Sequence, residues 1–297
     1  MMWREATIIL RRIFPVSMKG NINMGKLKDV FKADKPIIGM VHLRPLPGSP
    51  KYDPVNMGMD KIISIALEEA VILEQAGVDG VQVENMWDIP YLRSEDIGYE
   101  TAAALAVGIH AVRNKVSIPV GAECHMNGAD CAMACAVAAG ASWIRVFEWC
   151  NAFVSQSGFI NAMGANVSRM RSRLKADQIL ALCDVNVKHG SHYIIHDRSV
   201  AEQAMDIESQ DGDAVIVTGF DTGTPPSVEN ITTCKNSTSL PILIGSGLNS
   251  GNVNELLAAA DGAIIGSWFK EGNNWKNPVS YDRTKEFMDK VIALRQA

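Results

Sequence analysis

From Lys35 onward the chain alternates short β-branched runs with longer alanine-rich segments of helical period, and the alternation repeats eight times. That pattern is the signature of strand–helix units around a parallel sheet. The strands expected from it cover residues 36–42, 78–84, 118–123, 143–148, 179–185, 214–218, 241–244 and 263–265. Helical segments such as MDKIISIALEEAVILEQAG and YETAAALAVGIHAVRNKV lie between them, and YDRTKEFMDKVIALRQA closes the chain. Gly77, Gly140, Gly212 and Gly262 stand just ahead of strands and are expected to end the preceding helices in the left-handed conformation. Eight units of about 29 residues match a single closed (β/α)8 barrel, a TIM barrel, in length and order. The competing open doubly wound sheet would place a GxGxxG turn after its first strand, where this chain has VHLRPLPGSP.

Composition narrows the function classes. A chain with 47% hydrophobic and 21% charged residues is a globular protein. Its formal charge of −5, with no Lys/Arg-rich tract, argues against a nucleic-acid partner. No apolar run approaches the roughly 18 residues of a membrane span, so no integral membrane segment is expected. The six cysteines form no CxxC pairs and suit buried thiols in a reducing compartment. The first 24 residues are basic and are set apart from the barrel, which is assigned to residues 25–297. They read either as an organelle-targeting peptide or as an extension upstream of Met18 or Met24, with the cytoplasm the expected location in the second case.

In a barrel of this type ligands bind at the carboxyl ends of the strands. The seventh strand ends in Gly245, Ser246 and Gly247, and the eighth in Gly266 and Ser267. Two such breaks in adjacent units are expected to form halves of one phosphate cup, assisted by a helix starting near Ser250, with Thr218 and Gly219 as a third side. Other strand ends are polar: His42, Glu84 with Asn85, Glu123 with His125, and Asp184 followed by Asn186, Lys188 and His189. By period-two alternation Glu84, Glu123 and Asp184 point into the barrel, where Arg145 is expected to pair with one of them. Crowded carboxylates raise one another's pKa, which makes Asp184 the first choice for a general acid or base, with Lys188 or Glu84 next. A purely structural ion-pair layer is the alternative.

Asn85, Asn186, Asp221 and Thr222 are candidate substrate contacts, the last two in the FDTGTPPS segment. The loops LRPLPGSPKYDPVNMG and WCNAFVSQSGFINAMGAN are long enough to act as lids. No dedicated metal site is assigned: the histidines of KHGSHYIIH lack a helix to align them, while Mg2+ held through Glu84, Asp184 and a substrate phosphate stays open.

The strand ends also carry a resemblance. PIIGMVHLRPLPGSPKY, GVDGVQVEN with PYL after it, DVNVKH, VTGFDTGTPP and IGSGLNSGNVNELLAAADGAIIGSWFKEG together resemble the BtpA/SgcQ family, from about residue 24 to the C-terminus. The resemblance implies a barrel of the ribulose-phosphate-binding group and reinforces the phosphate cup. It implies two kinds of role: one branch is described as a factor for photosystem I accumulation, another accompanies sugar-phosphate enzymes. The expected function is an enzyme of a small phosphorylated metabolite, of lyase, isomerase or phosphate-ester hydrolase type, with homo-oligomerisation left open. The alternative is a non-catalytic assembly or stability factor.

Overall fold

The computed structural model describes residues 19–219 and 221–296. Residues 1–18, which hold most of the basic extension, lie outside the described residues. Helix α1 (Lys19–Phe31) leads into β1 (Ile37–His42), α2 (Met59–Gln75), β2 (Gly80–Glu84), α3 (Tyr99–Lys115), β3 (Val120–Glu123), α4 (Ala129–Ala139) and β4 (Trp143–Val146). A hairpin of β5 (Ala152–Ser155) and β6 (Gly158–Asn161) follows, then α5 (Gly164–Arg173), β7 (Leu180–Val185), α6 (Val200–Ser209) and β8 (Ala214–Val217). The chain continues through α7 (Val228–Ser237), β9 (Ile242–Ile244), α8 (Val253–Ala259), β10 (Gly262–Ile265) and α9 (Tyr281–Gln296).

All strands except those of the hairpin close into an eight-stranded parallel barrel, sealed where Ile38 of β1 pairs with Ile264 of β10. Helix boundaries follow local chemistry. Ser199 caps α6 reciprocally with Glu202, each side chain accepting the other's backbone N–H. Gly140 ends α4 at φ 76°, as the sequence suggests. Two of the other expected stops work differently: Asp211 takes the positive φ ahead of β8, and Gly262 is already strand, where a Cβ would lie 2.8 Å from the Pro36 carbonyl.

The barrel interior is a compact apolar plug. Ile38, Met40, Trp143, Leu182, Ile216, Leu243 and Ile264 point inward, and Leu27 and Phe31 of α1 close the lower end, with Phe31 packed 4.9 Å from Trp143. Helix α1 therefore crosses residue 25 and its second half belongs to the barrel. The large indole is accommodated by a missing side chain on the neighbouring strand. A Cβ at Gly121 would lie 2.0 Å from Trp143 Cε2. Gly121→Ala should thus overpack the plug and cost about 1–3 kcal/mol; an unchanged urea midpoint would contradict this account of the interior.

Candidate active site at the barrel mouth

Strand register sets one polar row above the plug. His42 lies beside Glu84 across β1 and β2, and Glu84 beside Glu123 across β2 and β3. Trp143 Nε1 donates to Gln82 Oε1 at 3.0 Å, and Gln82 Nε2 donates to Glu123 Oε2 at 2.6 Å, so the indole in the plug fixes a carboxylate in the row. Arg145 donates through Nε and Nη2 to the two oxygens of Asp184 at 2.8 and 2.9 Å, and its Nη1 lies 3.9 Å from Glu123. His42 Nε2 is 3.2 Å from Glu84 Oε1, and its Nδ1 meets the Trp275 carbonyl at 3.3 Å.

Burial dominates the electrostatics. It pushes Glu123 well above the usual carboxylate range, with the Glu84 charge adding and Arg145 opposing. It lowers His42 well below its ordinary value, with the Lys270 charge adding, and lowers His125 against the pull of Glu123. Lys188 is lowered by desolvation and by Arg145, with Asp184 opposing. His125 is positioned from several sides: its N–H donates to Asn85 Oδ1 at 2.8 Å, and its ring stacks on Tyr91 at 4.6 Å. Among the described residues neither of its ring nitrogens has a hydrogen-bond partner, and Glu123 Oε1 accepts from no N–H.

The two glycine-serine turns meet at a cavity with about 110 Å³ of water-accessible space, lined by Gly245, Ser246, Gly247, Gly266 and Ser267 together with the polar row. Gly247 has φ 76°, and a Cβ there would lie 2.1 Å from Pro225 N, so no other residue fits the turn. Gly245 N–H donates to Val217 O, whereas the N–H groups of Ser246 and Gly247 have no protein acceptor among the described residues. The expected helix terminus contributes little. Helix α8 starts at Val253 rather than near Ser250 and has seven residues, because Asn252 Oδ1 first folds back onto Asn249 N at 2.8 Å.

His42, Glu84, Glu123, Arg145, Lys188 and Thr222 line the cavity as expected of site residues; Asp184, Thr218, Gly219, Asn85, Asn186 and Asp221 do not. Asp184 is wholly buried beneath Arg145 with both oxygens engaged, so it serves as the guanidinium's partner and not as a free acid or base. Thr218 turns to the Asn186 carbonyl at 3.4 Å, and Gly219 is packed against the Thr224 backbone. Asn85 links His125 to Asp88, and Asp221 lies outside beside His189. Of the two expected lids, the second folds as the β5–β6 hairpin, whose Gln156 reaches the cavity. The first packs away through the buried Leu46, and the segment after β10 takes its place with Asn273 and Trp275.

The sequence marks His125 only as a polar strand end without a role, and does not single out Tyr91 or Trp275 as site residues; all three reach the cavity from beyond strand ends, where alternation no longer tells direction. Lys270, just past β10, is fully buried, but its Nζ donates to Glu69 Oε2 at 2.6 Å outside the cavity. The six cysteines are free, and five are buried, as expected.

The eight parallel strands close into a TIM barrel with a hollow over β9 and β10, and solved barrel enzymes share this fold. Phosphoribosylanthranilate isomerase of Pyrococcus furiosus superposes with a TM-score of 0.52 at 14% identity, covering 87% of this chain and 99% of that enzyme. Tryptophan synthase of Mycobacterium tuberculosis gives 0.57 at 14% identity, covering 92% and 98%. The chain belongs to the BtpA family, whose model matches residues 33–293. An uncharacterised protein of Thermococcus kodakarensis is 36% identical over 263 residues, 89% of this chain and 97% of the relative. The photosystem I biogenesis protein BtpA of Synechocystis is 31% identical over 264 residues, 89% and 90% of the two chains. No helix among the described residues is long and apolar enough to cross a membrane.

Glu148, just beyond β4, adds a titration the sequence did not single out. Burial, with the Asp184 charge adding, pushes its carboxyl from an ordinary 4.5 up to about 8. Between those values the folded chain keeps a proton that the unfolded chain releases, so stability falls as pH rises through that window. Glu148→Gln carries no such charge and should gain stability over the parent between pH 4.5 and 8, by on the order of a few kcal/mol at the upper end. Urea titrations at both ends check this; a pH-independent difference would refute it.

Proposed function

We propose that the protein is an enzyme acting on a small phosphorylated metabolite, a sugar or nucleoside phosphate, by proton transfer at the upper barrel mouth. The observation that carries this reading is that the Gly245–Gly247 turn, with the free amides of Ser246 and Gly247, and the Gly266–Ser267 turn share one cavity with buried carboxylates and imidazoles and the half-buried Lys188. Amide donors at fixed positions accept a phosphoryl group without reorganisation, and Arg145 and Lys188 add positive charge nearby. The rest of the metabolite then extends toward Glu84, Glu123 and Lys188. Burial raises Glu123 and lowers Lys188, and these are the groups to take and return protons. Asp184 supports them by holding Arg145. The name of the isomerase superposed on this chain contains a phosphoribosyl group, which agrees with the reading.

A second reading, an assembly or stability factor, is favoured by the Synechocystis relative's name together with one surface feature. Val154, Phe159, Tyr193 and Ile194 are exposed apolar side chains on the hairpin and the neighbouring 190s turn, suited to a larger complex or a second copy of this chain. A cavity-blocked variant would keep that function in a complementation assay and lose the enzymatic one.

Gly266 provides such a variant. A Cβ there meets Met40 at 3.5 Å and His42 at 3.7 Å, ordinary contacts, so a side chain has room to narrow the cavity, and circular dichroism checks that Gly266→Val folds at the φ of −102° and ψ of −87° found there. In a thermal-shift panel of sugar phosphates, nucleotides and inorganic phosphate, a ligand at 100 times its Kd should add about 2.7 kcal/mol to the parent and nothing to Gly266→Val. Absence of stabilisation by every compound, or equal stabilisation of both proteins, would overturn the reading.

A further inference from the structure

We propose that Glu84, Glu123 and His125 form a binding site for a divalent transition-metal ion of the Mn2+ or Zn2+ kind. One donor atom from each lies within 4.8 Å of the others, and all three residues are buried. His125 Nε2 stands 3.6 Å from Glu123 Oε1 and 3.8 Å from Glu84 Oε1. Those separations are too long for hydrogen bonds, yet two donors about 2.1 Å from a shared ion at angles of roughly 120–130° would show them.

The partner pattern points to the same place independently. Glu123 uses its Oε2 on Gln82 and shares a hydrogen bond with the Glu84 carboxyl, while its Oε1, on the side of His125, accepts from no N–H among the described residues. His125 is nine-tenths buried with both ring nitrogens unsatisfied among the described residues, an arrangement a protein rarely leaves unfilled. His42 Nε2 is a further neighbour of the cluster, 3.2 Å from Glu84 Oε1.

Donor chemistry selects the class of ion. An imidazole with two carboxylates suits Mn2+ or Zn2+ better than Mg2+, which takes oxygen ligands and water. The Mg2+ arrangement through Glu84 and Asp184 has no free donor on Asp184, whose oxygens both accept from Arg145. Three protein ligands leave coordination positions open toward the cavity, the mark of a site that receives an exogenous oxygen atom. With the ion bound, Glu84 and Glu123 act as its ligands and proton transfer falls to Lys188; the site goes beyond the phosphate reading, and the ion's binding does not depend on it.

The test uses the full chain, stripped with a chelator and dialysed. MnCl2 is titrated while the electron paramagnetic resonance signal of free Mn2+ is recorded, and ZnCl2 is added as competitor. The parent should bind one Mn2+ per chain and release it to Zn2+. Glu123→Gln, and His125→Phe, which keeps an aromatic ring between Tyr91 and Phe147, should each weaken binding at least about tenfold while circular dichroism stays unchanged. No stoichiometric Mn2+ or Zn2+ binding by the parent overturns the proposal, a shared proton then being what the cluster holds; parental affinity in His125→Phe overturns it equally. Inorganic phosphate is titrated in parallel by thermal shift: metal bound without phosphate refutes the phosphate cup alone, and phosphate bound without metal refutes the metal site alone.

Discussion

The paired guanidinium of Arg145 is what permits an acidic barrel mouth. Three carboxylates crowded into a desolvated space repel one another and forfeit hydration, a cost that rises steeply as the effective dielectric falls. Arg145 meets this from β4 by gripping Asp184 with two hydrogen bonds, lying near Glu123, and resting 5.3 Å over the Phe147 ring. Asp184 is thereby consumed as a counter-charge. Glu84 and Glu123 stay turned toward the cavity, and the division of labour among chemically alike residues comes from register and not from residue type.

A second constraint runs upward from the plug. Trp143 occupies the space that Gly121 vacates, its indole N–H orients Gln82, and Gln82 fixes one oxygen of Glu123. Packing in the apolar interior is thus coupled by a short chain of hydrogen bonds to the orientation of a polar group in the mouth. Such buried chains rigidify what they connect when every member is satisfied. The ends at Glu123 Oε1 and the His125 ring lie where the chain meets the cavity.

The barrel was legible in the sequence because its strands are apolar runs at regular spacing, and period-two alternation correctly sends Glu84, Glu123, Arg145 and Asp184 inward. The last step from inward to cavity-lining was not legible. Whether an inward carboxylate faces a ligand or a neighbouring cation depends on one residue of register between β4 and β7, which places Arg145 beside Leu182 and lets it reach Asp184. Residues past the strand ends were harder still. The hairpin after β4, the approach of Trp275 to His42 and the turn of Thr218 away from the cup are set by contacts between segments far apart in sequence.

The seal formed by Leu27, Phe31 and Trp143 also governs traffic. With the amino-terminal end of the barrel stoppered, the hollow is a blind well, and molecules entering and leaving must share one opening. That opening is framed by the β5–β6 hairpin and the Trp275 segment. Any occupant passes these two rims rather than the barrel axis.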